Sequence, residues 1–159
     1  MSNFTYCPLV WHFCGQTNNT KIEKIQERAI RIVCNDRTSE TSFLIEKLNT
    51  STMLQSRLDN ILVEVYKSLI SEPSNPLYIR DLLKIKNVPY NMRDCNILDQ
   101  PKKRTTKFGL RSFSYLASKL WNDLPSHLKD LSKNDIKNFR CRLKHRKGID
   151  TANISNFYV

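Results

Sequence analysis

Glycine is nearly missing from this sequence. Gly15, Gly109 and Gly148 are the only three, so no Gly-x-Gly-x-x-Gly or Gly-Lys-Ser/Thr cradle exists to approach a phosphate with its backbone. Nucleotide binding by a glycine-rich loop is excluded. No apolar run reaches the roughly 20 residues that span a bilayer. The opening stretch MSNFTYCPLVWHFCG has neither the basic n-region nor the clean apolar h-region of an export signal. Clustered carboxylates are also lacking. Asp and Glu are spread singly, mostly near a Lys or Arg, and no motif for a two-metal nuclease or polymerase centre is present.

Metal ligation and thiol catalysis find equally little support. Cys7, His12 and Cys14 are close in sequence and Cys141 precedes His145, but no Cys-x-x-Cys knuckle occurs and the spacings match no zinc module. Cys7, Cys14 and Cys34 read as small buried hydrophobes, and nothing selects a Cys–His catalytic pair. No metal, no cofactor and no catalytic residue is expected. An odd number of cysteines, five, suits a reducing compartment better than a disulfide framework. The Asn-x-Ser/Thr triplets at Asn3, Asn18, Asn49 and Asn153 read as products of an Asn-rich composition. The chain reads as intracellular, cytoplasmic or nuclear, and not secreted.

What is abundant is positive charge, and it is unevenly placed. The formal charge is +11 over 159 residues. Residues 1–20 carry no Lys, Arg, Asp or Glu, and residues 21–101 are nearly balanced. Residues 102–159 hold 14 basic and 4 acidic side chains, which is +10 of the total. A polyanion is the natural partner of such a surface; a merely solvated basic surface is the alternative. Anionic membranes are less favoured, because no basic amphipathic helix with exposed aromatics stands out.

Periodicity predicts a mainly α fold: a single compact helical domain of five or six helices, with a short extended or irregular segment near 95–108. Tyr6, Leu9, Val10, Trp11 and Phe13 form an uncharged aromatic plug, followed by a polar turn at Gly15–Asn19. Thr20 with Glu23 has capping-box spacing, and Ile22, Ile25, Ala29, Ile32 and Val33 repeat on one helical face before a break at Asn35. Ser39 is placed to cap a short helix carrying Phe43, Leu44, Ile45 and Leu48. A wide apolar stripe from Leu54 to Ile70 predicts a central helix over 52–71, stopped by Glu72-Pro73-Ser74-Asn75-Pro76. Leu77 to Ile85 predicts one more short helix, and an extended piece is expected before Pro101. Phe113, Leu116, Ala117, Leu120 and Trp121 predict a helix starting near Ser112. Ser132 with Asp135 offers a cap for a last helix carrying Ile136, Phe139 and Leu143 amid Lys137, Arg140, Arg142, Lys144, Arg146 and Lys147, and ended by Gly148. The organisation read from this is residues 1–35, a helical middle at 36–101, a basic helical part at 102–148, and a tail.

The candidate binding stretch is Lys102 to Lys119. Lys102, Lys103, Arg104, Lys107 and Arg111 cluster there, with Phe108 and Phe113 interleaved and Thr105 and Thr106 as donors. Cations meet phosphates and aromatic faces stack on bases, so the mixture suits nucleic acid. Trp121 reads as core; for Phe108 both readings stay open.

Three blocks together resemble a known family: YCPLVW at Tyr6–Trp11, KIEKIQERAIRIV at Lys21–Val33, and RTTKFGLRSFSYLASKLWNDLP at Arg104–Pro125. In this order they resemble the thumb and post-thumb region of reverse transcriptases of jockey-like non-LTR retrotransposons. The resemblance implies a thumb-like segment at 1–35 whose Lys24, Arg28 and Arg31 side faces a template–primer duplex. It also implies association with the rest of a polymerase. The family's Tyr/Phe-x-Asp-Asp catalytic motif and its endonuclease do not occur here, so the expectation is a C-terminal fragment, not an enzyme by itself, with Met1 an incidental start. Three functions are carried forward: a nucleic-acid-binding piece, a protein-interaction or decaying remnant with no independent activity, and an enzyme using a Cys–His pair or a metal.

Overall fold

The computed structural model describes residues 12–70, 73, 75–87, 96–105, 109, 112–131 and 135–144. The protein is mainly helical. Among these residues lie six α-helices: α1 Gln16–Cys34, α2 Thr41–Lys47, α3 Met53–Leu69, α4 Leu77–Asp81, α5 Phe113–Asn122 and α6 Ile136–Lys144, with a 3-10 turn at Ser126–Leu128. The described residues divide into two compact units, one running to Leu58 and one starting at Asp59, so α3 contributes residues to both. The plug residues Tyr6–Trp11 lie outside the described residues, as do Phe108, Ser132, His145 and Gly148.

In the first unit α1 begins a turn earlier than the capping-box spacing implies. Gly15 is its N-cap and makes no side-chain cap bond. Thr20, expected to cap, donates its hydroxyl back to the Gln16 carbonyl at 3.0 Å from inside the helix. The break at Asn35 is as expected: its φ of 51° is left-handed, and its N–H closes the last turn on Arg31 and Ile32 carbonyls. The inward face also differs. Of the α1 apolar residues only Ile30 is buried, while Ile32 is 78% and Val33 71% exposed. Asn19, Glu23, Gln26 and Ile30 recur at +4, +3 and +4, which makes them one face about 100° around from the apolar stripe. That face is turned inward by hydrogen bonds. Gln26 donates to the Ser51 carbonyl (2.8 Å) and accepts from the Met53 N–H (2.8 Å), gripping the start of α3.

The α1–α2 link is an Asp36 turn, in which the carboxylate accepts from the Thr38 N–H, the Ser39 N–H and both hydroxyls. Ser39 is thereby engaged with Asp36, and Glu40, not Ser39, precedes α2. Leu44 is fully buried, whereas Phe43 remains 58% exposed. Thr52 caps α3 by accepting from the Gln55 N–H at 3.1 Å.

The second unit has an aromatic core. Tyr66 of α3 stacks on Phe139 of α6 with ring centroids 4.3 Å apart, and Trp121 of α5 leans on Phe139 at 6.3 Å. Around them Ile61, Leu62, Val65, Leu98, Leu116, Ala117, Leu120, Leu124, Leu128 and Leu143 are buried. Asp135 caps α6 with its own carboxylate, which accepts from the Lys137 and Asn138 N–H groups at 2.9 and 3.1 Å. The irregular segment holds one antiparallel bridge, Ile85 to Leu98. It is closed by Lys86 N–H to Ile97 O and Asp99 N–H to Lys84 O, both 2.8 Å. This is the extended piece expected before Pro101.

Candidate nucleic-acid interface

The sequence candidates fall in both units. Lys24 and Arg28 lie exposed on the side of α1 away from the Asn19–Ile30 face. Arg31 is different. Its Nε and Nη2 donate to Glu27 Oε1 at 3.1 and 2.9 Å, and its Nη1 donates to the Arg37 and Ser39 carbonyls, both at 3.0 Å. That guanidinium is spent on closing the α1–α2 turn. The Arg31 bond in turn holds the Glu27 carboxyl below its ordinary range, and bonds from Ser39 and Thr38 hold Asp36 far below it.

In the second unit Lys102, Lys103 and Arg104 are exposed. Lys103 has a fixed position, with its Nζ 3.3 Å from the centroid of the Tyr115 ring, a cation–π contact. Its Cβ lies 3.3 Å from where a Cβ on Gly109 would sit, so a side chain there would crowd it. Lys107 and Arg111 lie outside the described residues. Lys137, Arg140 and Lys144 are exposed on α6, while Arg142 donates to the His127 carbonyl at 3.2 Å and ties α6 to the 3-10 turn.

The segment leading to Lys102 is held from behind by α5. The Asn122 amide mimics a neighbouring strand: its Oδ1 accepts from the Leu98 N–H and its Nδ2 donates to the Leu98 carbonyl, both at 2.9 Å. Trp121 Nε1 donates to the Asn96 carbonyl at 2.7 Å, so the buried indole leaves no polar atom unsatisfied. Lys129, itself buried, donates its Nζ to the Asn122 carbonyl at 3.0 Å, and its carbonyl accepts from Asn96 Nδ2 at 3.2 Å. The Leu-Trp-Asn-x-Leu-Pro block is therefore a clamp. Leu120, Trp121 and Leu124 fill the core, while Asn122 holds a loop strand.

Sequence reasoning missed a polar centre in the first unit. Arg57 is 2% exposed. Its Nη1 donates to Asn19 Oδ1 at 2.7 Å, its Nε to the Met53 carbonyl at 3.2 Å, and its Nη2 stands 4.0 Å from Glu23 Oε1. Asn19 Oδ1 also accepts from Cys14 Sγ. His12 is buried nearby, and burial first, then the Arg57 charge, lowers its pKa to about 4. The signal was available: position 57 falls three after Leu54 and four before Ile61, on the apolar stripe.

Cys14 and Cys34, read as buried, are half-exposed, and Cys141 is exposed. Among the described residues no three His, Cys, Asp or Glu side chains converge on a possible metal site, and no helix is long and apolar enough to cross a membrane. Comparison with protein-family models, curated proteins and solved structures finds no match to this chain.

Proposed function

We propose that this chain is a non-catalytic nucleic-acid-binding piece, derived from the thumb and post-thumb region of a retrotransposon reverse transcriptase. The carrying observation is the contrast in the second unit between a closed aromatic core and an outside bearing Lys102, Lys103, Arg104, Lys137, Arg140 and Lys144. Residues 102–159 hold 14 basic against 4 acidic side chains, and the exposed cations just named attract phosphates by counterion release. Lys24 and Arg28 provide a second, smaller cationic face. The ancestry rests on the three resembling blocks. The test is a salt titration of the purified full chain on labelled oligonucleotides. Log affinity should fall linearly with log salt, by about 0.7 per phosphate on a single strand or 0.9 on duplex DNA. Absence of binding in low salt would sink the proposal.

A second reading, a protein-interaction remnant, draws on Ile32, Val33 and Phe43, large apolar side chains left in water in the first unit. It predicts self-association or dye binding that Ile32→Lys abolishes. A dye-silent monomer at high concentration contradicts it.

A further inference from the structure

We infer that Lys84, Lys86 and Tyr78 extend the Lys102–Arg104 segment into one track for single-stranded nucleic acid; this rests on the nucleic-acid binding proposed for the second unit. None of these three stands out in the sequence, where the charge of residues 71–101 is balanced. The Ile85–Leu98 bridge changes that by setting Lys84 opposite Asp99 and Lys86 opposite Ile97. Paired backbones lie about 5 Å apart, and the three residues from Asp99 to Lys102 reach about 10 Å at most. Lys84 is therefore within roughly 15 Å of Lys102 along the backbone, a span of a few nucleotides.

The charge around the bridge is cationic. Arg80, Lys84, Lys86, Lys102, Lys103 and Arg104 meet only two nearby carboxylates in sequence, Asp81 and Asp99. Lys84, Lys86, Lys102 and Arg104 are all exposed, so their ammonium and guanidinium groups reach solvent. The backbone beneath them is fixed: Asn122 holds both polar groups of Leu98, and Trp121 holds the Asn96 carbonyl. Lys103, seated over Tyr115, anchors the far end. A track that is ordered before binding loses less conformational freedom on binding.

The ligand class follows from what accompanies the charge. Tyr78 on α4 is 67% exposed, and Leu77, Leu82 and Ile85 are exposed beside it in sequence. A duplex hides its base faces, whereas a single strand offers them to a tyrosine ring and to apolar side chains while its phosphates meet the lysines.

The experiment uses the full chain and fluorescence anisotropy on labelled oligo-dT, oligo-U and a duplex of equal length, between about 50 and 200 mM salt. Vesicles containing phosphatidylserine form a further arm. Lys84→Gln with Lys86→Gln should weaken single-strand binding and flatten the log–log salt slope by about 1.4, two phosphates' worth. Tyr78→Ala should weaken it about fivefold or more with the salt slope unchanged. The exposed Lys47→Gln in the first unit is the control and should change neither. Circular dichroism melts check that each variant is folded. If the wild type binds and the Lys84/Lys86 variant keeps its slope, this inference falls while the proposed function stands. Equal or tighter duplex binding, or binding to vesicles in place of oligonucleotides, also overturns it. If the wild type binds no oligonucleotide, both readings fall.

Discussion

The residues up to Leu58 and those from Asp59 onward are built around different centres, one polar and one aromatic. The first unit buries Arg57 and His12, bonds Arg57 to the half-buried Asn19, and leaves Ile32, Val33 and Phe43 in water. The second packs Tyr66 and Trp121 against Phe139 and carries Lys102, Lys103, Arg104, Lys137, Arg140 and Lys144 outside, with Lys129 the buried exception. The first is held largely by directional bonds whose net value is small per bond and large when one partner is lost. The second is held chiefly by apolar burial, and its outer face mixes cations with the exposed Leu77, Tyr78, Leu82 and Ile85. Stability and binding are thus separable in the second unit: charged side chains there can change without touching the core.

The sharpest break of this comparison is Trp121→Ala. It removes the largest core side chain and the bond to Asn96, and should cost about 3–5 kcal/mol in urea unfolding. A loss below about 1 kcal/mol would mean the aromatic core does not carry the unit. Next comes pH. The folded pKa of His12 is about 4 against an ordinary 6.5, so between those values the unfolded chain binds more protons than the folded one. Stability is then full above about pH 6.5 and declines as pH falls toward 4, by about 3 kcal/mol. The slope should flatten in His12→Gln, and a wild-type slope in that variant contradicts the assignment. Arg57→Ala strips Asn19 of its guanidinium partner and should cost about 2 kcal/mol. Arg57→Met, which keeps the packing, should cost less; the reverse order would mean the charge itself stabilises the unit. Smallest is Asn122→Ala, about 1 kcal/mol, read best as faster hydrogen exchange at the Leu98, Lys86 and Asp99 amides. Unchanged exchange there would remove the clamp from the account.

How much was legible in the sequence follows the same division. Where apolar periodicity is the cause of burial, the reading held: the α3 stripe, the α5 helix from Ser112 and the core role of Trp121 are all as expected, and so is the mainly α class. Where hydrogen bonds choose the face, it failed. The Ile25–Val33 stripe of α1 had good period, yet Asn19 and Gln26 bonds turned the neighbouring face inward. Caps went the same way: Ser39 was taken up by Asp36, and α1 starts after Gly15 with Thr20 inside it. Among the candidate site residues, charge density located Lys102 and Arg104 on an exposed segment. The i to i+4 spacing of Glu27 and Arg31 is readable, but not that Arg31 also donates to two loop carbonyls or that Lys103 rests on Tyr115. Bonds to loop carbonyls and cation–ring contacts across a turn leave no periodic trace.

The most direct test of the central claim sets the two cationic faces against each other. Lys102→Gln with Arg104→Gln and, separately, Lys24→Gln with Arg28→Gln are compared with the wild type for the salt dependence of oligonucleotide binding. All four side chains are exposed, so unfolding midpoints should stay within about 0.5 kcal/mol of wild type. The Lys102/Arg104 variant should lose about 1.4 of log–log slope, two phosphate contacts, and the Lys24/Arg28 variant less. An unchanged slope in the first variant and a full loss in the second would contradict it.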